Sequence, residues 1–142
     1  MSRTSTISRE TGETNISVSV NLDGDGVFTG STTNGMLDHM LAQLARHGTL
    51  SIELTATADI APGWHHLVED TAIVLGRAVW DALGDASGIT RMAHAIVPLD
   101  EALAMVAIDI SGRGHVNIDL LAEGDTEAGD LNLELGRHFL ES

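Results

Sequence analysis

The segment from Glu13 to Gly26, ETNISVSVNLDGDG, contains a strand and the turn that ends it. Apolar residues alternate with polar ones along the strand, as expected where one face of a β-strand is buried. The alternating apolar residues are Ile16, Val18, Val20 and Leu22. The Asp-Gly-Asp-Gly sequence that follows is typical of a tight turn, so two antiparallel strands are predicted to flank it.

This segment has a counterpart later in the chain. EALAMVAIDISGRG, which begins at Glu101, aligns with it so that the strand positions and both turn glycines coincide. The tetrapeptides Leu44–His47 and Leu135–His138 are also similar. A duplication explains both matches and their common order, whereas a chance match between alternating strands is the alternative explanation.

The remaining periodicities predict further strands and three helices. Alternation predicts strands over Thr4–Arg9, Leu50–Ala58, Ala93–Val97, Leu103–Ile110 and Val116–Leu121. A helical period predicts helices over Met36–His47, His66–Leu83 and Leu131–Ser142, and Glu123–Asp130 is predicted to be an acidic loop.

These elements predict an α+β fold made of duplicated half-domains. Residues 1–87 are expected to form the first half-domain and residues 88–142 the second, each a small sheet with two helices on one face. The first unit continues past its tetrapeptide into a strand and a long helix, whereas the second ends before the equivalent elements. We therefore expect the second half-domain to be incomplete.

The composition restricts the classes of function. The chain has 142 residues, 43% of them hydrophobic, which is enough for one domain with a buried core. The absence of cysteine excludes disulfides, thiolate zinc sites and a cysteine nucleophile, and the absence of lysine excludes Schiff-base chemistry. A net charge of −14 argues against nucleic-acid and anionic-membrane partners. Because the N-terminus lacks the apolar stretch of a signal peptide, a cytoplasmic protein is expected.

Histidine and glutamate residues at the start of the second predicted helix form a candidate metal site. His65, His66 and Glu69 lie near one helix face, because the glutamate follows the histidines by four and three residues. The adjacent histidines point about 100° apart, which suits two metal ions better than one. His39, within an apolar helix stripe, is a further candidate ligand. Imidazole and carboxylate ligands favour manganese, iron or zinc. The alternative interpretations are that His65, His66 and Glu69 only cap a solvated helix start and that His39 is a core histidine.

Two arginines and a glutamate complete the candidate residues. Arg113 lies in a glycine-flanked turn, where free backbone N–H groups also bind phosphate, although an ordinary turn arginine fits the same pattern. Arg91 follows Gly88-Ile89-Thr90 and is either an anion contact or half of a surface salt bridge. Glu13 precedes a strand and is a candidate general acid or base.

Together, these segments resemble the imidazoleglycerol-phosphate dehydratases of histidine biosynthesis. The resemblance covers essentially the whole chain, and the motifs occur in the family's order. Each motif is weak alone, but the ordered set is specific. The matching segments are Gly12-Glu13-Thr14, Leu37–Leu41, Arg46-His47-Gly48, His65-His66, Glu69-Asp70, Leu75-Gly76, Gly88–Arg91, Pro98–Ala102 and Ser111-Gly112-Arg113.

The resemblance implies a lyase that dehydrates D-erythro-imidazoleglycerol phosphate, a small phosphorylated imidazole, to imidazole-acetol phosphate. It implies a duplicated fold of the ribosomal protein S5 domain 2-like type, in trimer-based homo-oligomers of up to about 24 subunits. It also implies two manganese ions per site at subunit interfaces. Glu13 would contact the substrate as acid or base, and Arg91 and Arg113 would contact its phosphate. The implied metal ligands are His39, His65, His66 and Glu69.

The chain also departs from the family pattern. A second histidine-bearing strand and a second His-His-x-x-Glu helix are expected beyond Ser142, so only one of two ligand sets is present. Gly63 and Trp64 precede His65 where the family carries an aspartate, so a carboxylate that orients a bound imidazole is expected to be missing. The alternatives are a non-catalytic fragment or pseudoenzyme with half of the metal site, or a different His/Glu metal-dependent hydrolase.

Overall fold

A computed structural model describes residues 2–59, 61, 63–120 and 127–142. The chain divides into two compact units, the first comprising Met1–Gly84 and Ile118–Ser142 and the second Asp85–Asn117. Within the described residues, no helix combines the length and the apolarity needed to cross a membrane. The predicted half-domain boundary at residue 87 stays a prediction.

The first unit is built on a four-stranded sheet. Its strands are β1 (Thr4–Glu10), β2 (Thr14–Asn21), β3 (Phe28–Ser31) and β4 (Ser51–Ala58), in the order β1-β2-β4-β3. β2 pairs antiparallel with β1 and β4, whereas β3 pairs parallel with β4. The strands flanking the Asp-Gly-Asp-Gly turn therefore run in opposite directions, as predicted, but β4 lies between them and they form no hairpin.

Three helices complete the described part of the first unit. They are α1 (Gly35–Gly48), α2 (His65–Leu83) and α3 (Leu133–Glu141). Asn34 caps α1, because its side-chain oxygen accepts a hydrogen bond from the Leu37 N–H at 2.8 Å. The Asn34 side-chain amide also donates to the Asp130 carbonyl at 3.0 Å, which ties the start of α1 to the segment preceding α3.

The core lies between one face of the sheet and the helices. Alternate residues of β2 and β4 point into it, which confirms the alternation predicted for both strands. The helices α1 and α2 add their apolar stripes to the same cluster, and Leu135 and Phe139 of α3 pack against it. Fully buried side chains of this core include Ile16, Val18, Leu41, Ile52, Leu54 and Leu67.

The C-terminal helix starts later than predicted. Leu131–Asn132 forms a short strand, β8, that pairs with β7 (Glu127–Ala128), and α3 begins only at Leu133. The Asn132 side chain caps the helix by accepting from the Leu135 N–H at 2.8 Å. The predicted acidic loop falls partly on residues 123–126, which lie outside the described residues.

The second unit is a two-stranded antiparallel hairpin. β5 (Met92–Leu99) pairs with β6 (Ala102–Asp109) along their whole length, which confirms both predicted strands. Every residue of both strands is exposed. The strand predicted over Val116–Leu121 is wrong for residues 116–120, which form no strand, and Leu121 lies outside the described residues. Alternation predicts a two-faced segment, but a strand also needs a hydrogen-bonding partner.

Gly30→Ala is expected to destabilise the first unit. Gly30 has φ +107°, and a Cβ there would lie 1.7 Å from the Leu54 carbonyl oxygen of the neighbouring strand. Because backbone must move to relieve this overlap, we expect a loss of about 3 kcal/mol in the free energy of unfolding, measured by urea denaturation. Gly76→Ala is the control, since Gly76 lies in α2 with open space around it and alanine should stabilise by about 1 kcal/mol. Equal stabilities of the two variants would contradict the prediction.

Candidate metal and acid-base site

The first turn of α2 and the middle of α3 bring three potential metal ligands together. Ligand atoms of His65, Glu69 and His138 all lie within 4.8 Å of one another. The rings of His65 and His138 stack with centroids 4.4 Å apart and an interplanar angle of 15°. The predicted pairing of His65 with Glu69 is therefore present, and a histidine from another helix joins it.

His138 carries the clearest indication of a ligand. Its Nε2 atom is buried and has no hydrogen-bond partner among the described residues, and it lies 3.9 Å from Glu69 Oε1. A buried polar atom without a partner is costly, so such atoms usually mark a bound water, ion or ligand. Two imidazoles and one carboxylate suit a divalent cation such as manganese, iron or zinc. The residues present therefore fit a divalent metal.

Two members of the group, His65 and His138, line a cleft of about 460 Å³. Trp64 lies at the N-cap of α2, makes no side-chain cap hydrogen bond, and lines this cleft with His65 and His138. Arg137 also lines the cleft, and its guanidinium is paired with Glu141 at 2.8 Å. The cleft thus places aromatic, cationic and potential metal-binding groups on one surface.

Glu13 and His66 form a second contact next to this group. The Glu13 Oε2 atom lies 2.7 Å from His66 Nδ1, and both side chains are partly exposed. The distance is that of an ion pair, but Nδ1 has no aligned hydrogen-bond partner within the described part of the chain. The rings of His65 and His66 meet edge to face with centroids 5.4 Å apart. Glu13, the candidate base, therefore contacts the residue that directly follows His65, one of the three grouped side chains.

His39 is exposed on α1 and is not part of the three-residue group. Its neighbour Asp38 acts as a structural acceptor, because its carboxylate accepts hydrogen bonds from the Thr32 N–H and hydroxyl and from the Ser31 hydroxyl. These hydrogen bonds attach the first turn of α1 to the segment that follows β3. The role of His39 as a metal ligand stays a prediction.

The two candidate anion-binding arginines lie in the second unit. Arg91 donates to Asp109 through Nε at 2.6 Å and Nη2 at 3.0 Å. These hydrogen bonds lower the pKa of the Asp109 carboxyl. The pair therefore adds stability above the ordinary pKa of the carboxyl and loses it as the pH falls through the lowered value, an effect kept small by exposure. Arg113 is exposed and follows Gly112, whose φ is +73°.

His138 is not among the ligand candidates that the sequence predicts. It appeared only as the end of a tetrapeptide matched to His47. A different alignment of the repeat pairs His138-Phe139-Leu140 of α3 with His39-Met40-Leu41 of α1. This pattern indicates that His138 occupies, in the second half of the chain, the place that His39 has in the first.

Comparison with known proteins supports the resemblance. The family model for imidazoleglycerol-phosphate dehydratase matches residues 32–142. The imidazoleglycerol-phosphate dehydratase of Methanothermobacter thermautotrophicus is 48% identical over 140 residues, which cover 99% of this chain and 72% of that relative. The one from Dehalococcoides mccartyi strain 195 is 49% identical over 140 residues, which cover 99% of this chain and 69% of the relative.

Two solved structures have the same fold. Imidazoleglycerol-phosphate dehydratase from Staphylococcus aureus superposes with a TM-score of 0.77 at 29% identity, over 97% of this chain and 75% of that one. The Pyrococcus furiosus structure gives a TM-score of 0.73 at 35% identity, over 95% of this chain and 70% of that one. These matches confirm the α+β fold. The chain belongs to the imidazoleglycerol-phosphate dehydratase family.

Proposed function

We propose that the chain dehydrates imidazoleglycerol phosphate to imidazole-acetol phosphate in histidine biosynthesis. The observation that carries the proposal is the convergence of His65, Glu69 and His138, with Glu13 against the adjacent His66, in a member of this family. The reaction removes the hydroxyl next to the imidazole ring and a hydrogen from the neighbouring carbon, and the resulting enol becomes the ketone. No carbonyl acidifies that hydrogen, and its carbon is not attached to the ring. The ring can therefore take up the electron pair of the C–H bond only when the hydroxyl leaves the carbon between them.

The three grouped side chains would hold a divalent cation, which we propose to be manganese. When bound, the ion would stabilise negative charge on the substrate's imidazole and so help the ring to expel the neighbouring hydroxyl. His39 and His66 are proposed as further ligands, on the family pattern. The buried Nε2 atom of His138 supports this assignment, because a cation would supply the partner that it lacks.

Glu13 is proposed as the acid-base residue. Its carboxylate is partly exposed, so a substrate can reach it, and Oε2 lies 2.7 Å from His66 Nδ1. In this arrangement Oε2 would accept the proton from the substrate carbon, and His66 would hold the carboxylate in place. A carboxylate fixed in this way removes protons more effectively than one that rotates freely.

Arg113→Ala is expected to weaken binding of a phosphate-bearing ligand selectively. Charge-assisted hydrogen bonds to phosphate contribute about 1.5–3 kcal/mol, so we expect about 10- to 100-fold weaker binding of the phosphorylated substrate. Binding of the dephosphorylated analogue should change little. Calorimetry on both ligands measures the difference, with Arg77→Ala, an exposed arginine on α2, as the control. Equal losses for the two ligands would rule out a phosphate contact.

Arg91 is proposed as a second phosphate contact. This role requires that its guanidinium be released from Asp109.

We also propose that the protein acts in the cytoplasm as a trimer-based homo-oligomer. Large apolar side chains are exposed on both long helices: Met40 (53%) and Leu44 (45%) on α1, and Trp80 (49%) on α2. Such exposure supports the proposal that another subunit covers these side chains. Sedimentation velocity measures the assembly directly.

The test of the proposed function is a dehydratase assay. The chain is incubated with manganese and synthetic imidazoleglycerol phosphate, and imidazole-acetol phosphate is followed by its enol absorbance and by mass spectrometry. Formation of the product with loss of one water supports the proposal. Manganese binding without turnover would favour the non-catalytic alternative, and release of inorganic phosphate would favour a hydrolase.

A further inference from the structure

A buried carboxylate joins α2 to the first two strands. Asp70 follows Glu69 in α2 and is 5% exposed. Its Oδ1 accepts a hydrogen bond from Arg9 Nε of β1 at 2.7 Å, and its Oδ2 accepts one from the Thr14 hydroxyl at the start of β2. Asp70 therefore connects three elements, and the reaction chemistry proposed above does not use it.

Thr14 is the residue directly after Glu13, and its environment is fixed. It is 3% exposed, and its N–H donates to the Thr11 hydroxyl at 2.9 Å. The Glu13 main chain is held on both sides, because its N–H donates to the same Thr11 hydroxyl at 3.2 Å and its carbonyl accepts from the Asp59 N–H at 2.8 Å. The Glu13 side chain, by contrast, is partly exposed.

Asp70 also connects α2 to the chain at Glu13 and Thr14. His66 and Asp70 are four residues apart in α2 and therefore lie on one face of the helix. Asp70 accepts a hydrogen bond from Thr14, and His66 contacts Glu13. Two adjacent residues at the start of β2 therefore face two residues of α2 that are one helical turn apart. The Asp70–Thr14 hydrogen bond thus ties the strand to the helix next to the point where Glu13 meets His66.

We propose that Asp70 is a positioning residue that acts through Thr14 to hold the Glu13 carboxylate at His66. The proposal rests on the proposed function, in which Glu13 is the acid-base group. A partly exposed glutamate has several accessible rotamers. Fixing its backbone and the facing helix reduces the conformational entropy that the side chain loses when it takes up the catalytic position. A displacement of about 1 Å at a catalytic group lowers the rate by up to about 100-fold.

Thr14→Val tests this role, because valine matches the shape of threonine but cannot donate to Asp70. We expect kcat to fall by about 10- to 100-fold while KM and the affinity for manganese stay within about 2-fold of the wild type. Thr14→Ser retains the hydroxyl and should restore most of kcat. If the Asp70–Thr14 hydrogen bond only stabilised the packing of α2, its loss would also weaken manganese binding at Glu69. The proposal therefore requires that kcat falls while manganese affinity does not.

A double-mutant cycle with Glu13→Gln provides the second readout. If Thr14 acts through Glu13, adding Thr14→Val to Glu13→Gln should lower kcat by no more than about 2-fold further. Multiplied losses, or equal losses in Thr14→Val and Thr14→Ser, would overturn the proposal. Should Thr14→Val fail to fold, Thr14→Ala removes the same hydroxyl with less bulk.

A crystal structure of Thr14→Val separates this inference from the proposed function. If the wild-type chain shows no dehydratase activity, the proposed function fails, and the Glu13–His66 distance still decides the positioning role. We expect the distance from Oε2 to Nδ1 to increase from 2.7 Å or the carboxylate to adopt several rotamers. An unchanged single conformer would overturn the proposal.

Discussion

Glu13→Gln will lower kcat by about 10²- to 10⁴-fold, the usual contribution of a general acid or base. The amide keeps the size of the side chain and its place near His66, but it cannot accept a proton at Oε2. Because Glu13 contacts His66 but is not itself one of the proposed ligands, its substitution should lower manganese affinity far less than kcat. Initial rates at saturating substrate, with manganese titrations on the same samples, measure both quantities.

Glu10→Gln is the matched control for this prediction. Glu10 is an exposed glutamate at the end of β1, close in sequence to the same turn, and has the same charge. Its substitution should leave kcat unchanged. A Glu13→Gln variant with wild-type kcat would eliminate the acid-base role, whereas equal losses in both variants would indicate a general effect of charge on the active site.

His138→Ala is expected to remove high-affinity metal binding. The substitution takes away one of the three grouped ligands and the ring that stacks on His65. Loss of an orienting group near a metal already costs 10- to 100-fold in affinity, so we expect loss of a ligand to exceed about 100-fold. Manganese should also stop raising the unfolding temperature, since a ligand that binds only the folded state stabilises it in proportion to the logarithm of its concentration over Kd.

The control for the metal prediction is His94→Ala. His94 is exposed on β5, in the second unit, and is not part of the group. Electron paramagnetic resonance of free manganese gives the affinity and the number of bound ions for each variant. Unchanged affinity in His138→Ala would show that the convergence of these side chains does not bind metal.

Local patterns allowed much of the fold to be predicted. The alternation of β2 and the helical period of α2 reflect backbone geometry within single segments, so both elements appear close to their predicted bounds. The pairing of His65 with Glu69 was predictable for the same reason, because residues four apart on a helix are neighbours.

Features that depend on distant partners were not predictable. β3 has only four residues and includes Gly30, and it forms because β4, beyond α1, runs parallel beside it. The strand expected at 116–120 lacks such a partner among the described residues and does not form. His138 lies beside His65 and Glu69 because α3 packs near the start of α2. The repeat aligns His138 with His39, but local periodicity does not show which helix α3 packs against.

The exposed hairpin of the second unit has a consequence for hydrogen exchange. An isolated two-stranded ribbon is marginally stable in water, and every residue of β5 and β6 is exposed. β2, by contrast, is paired on both sides and its apolar face is buried. Amide protons of β5 and β6 in the isolated chain should therefore exchange through local opening, whereas those of β2 should exchange only when the whole first unit unfolds.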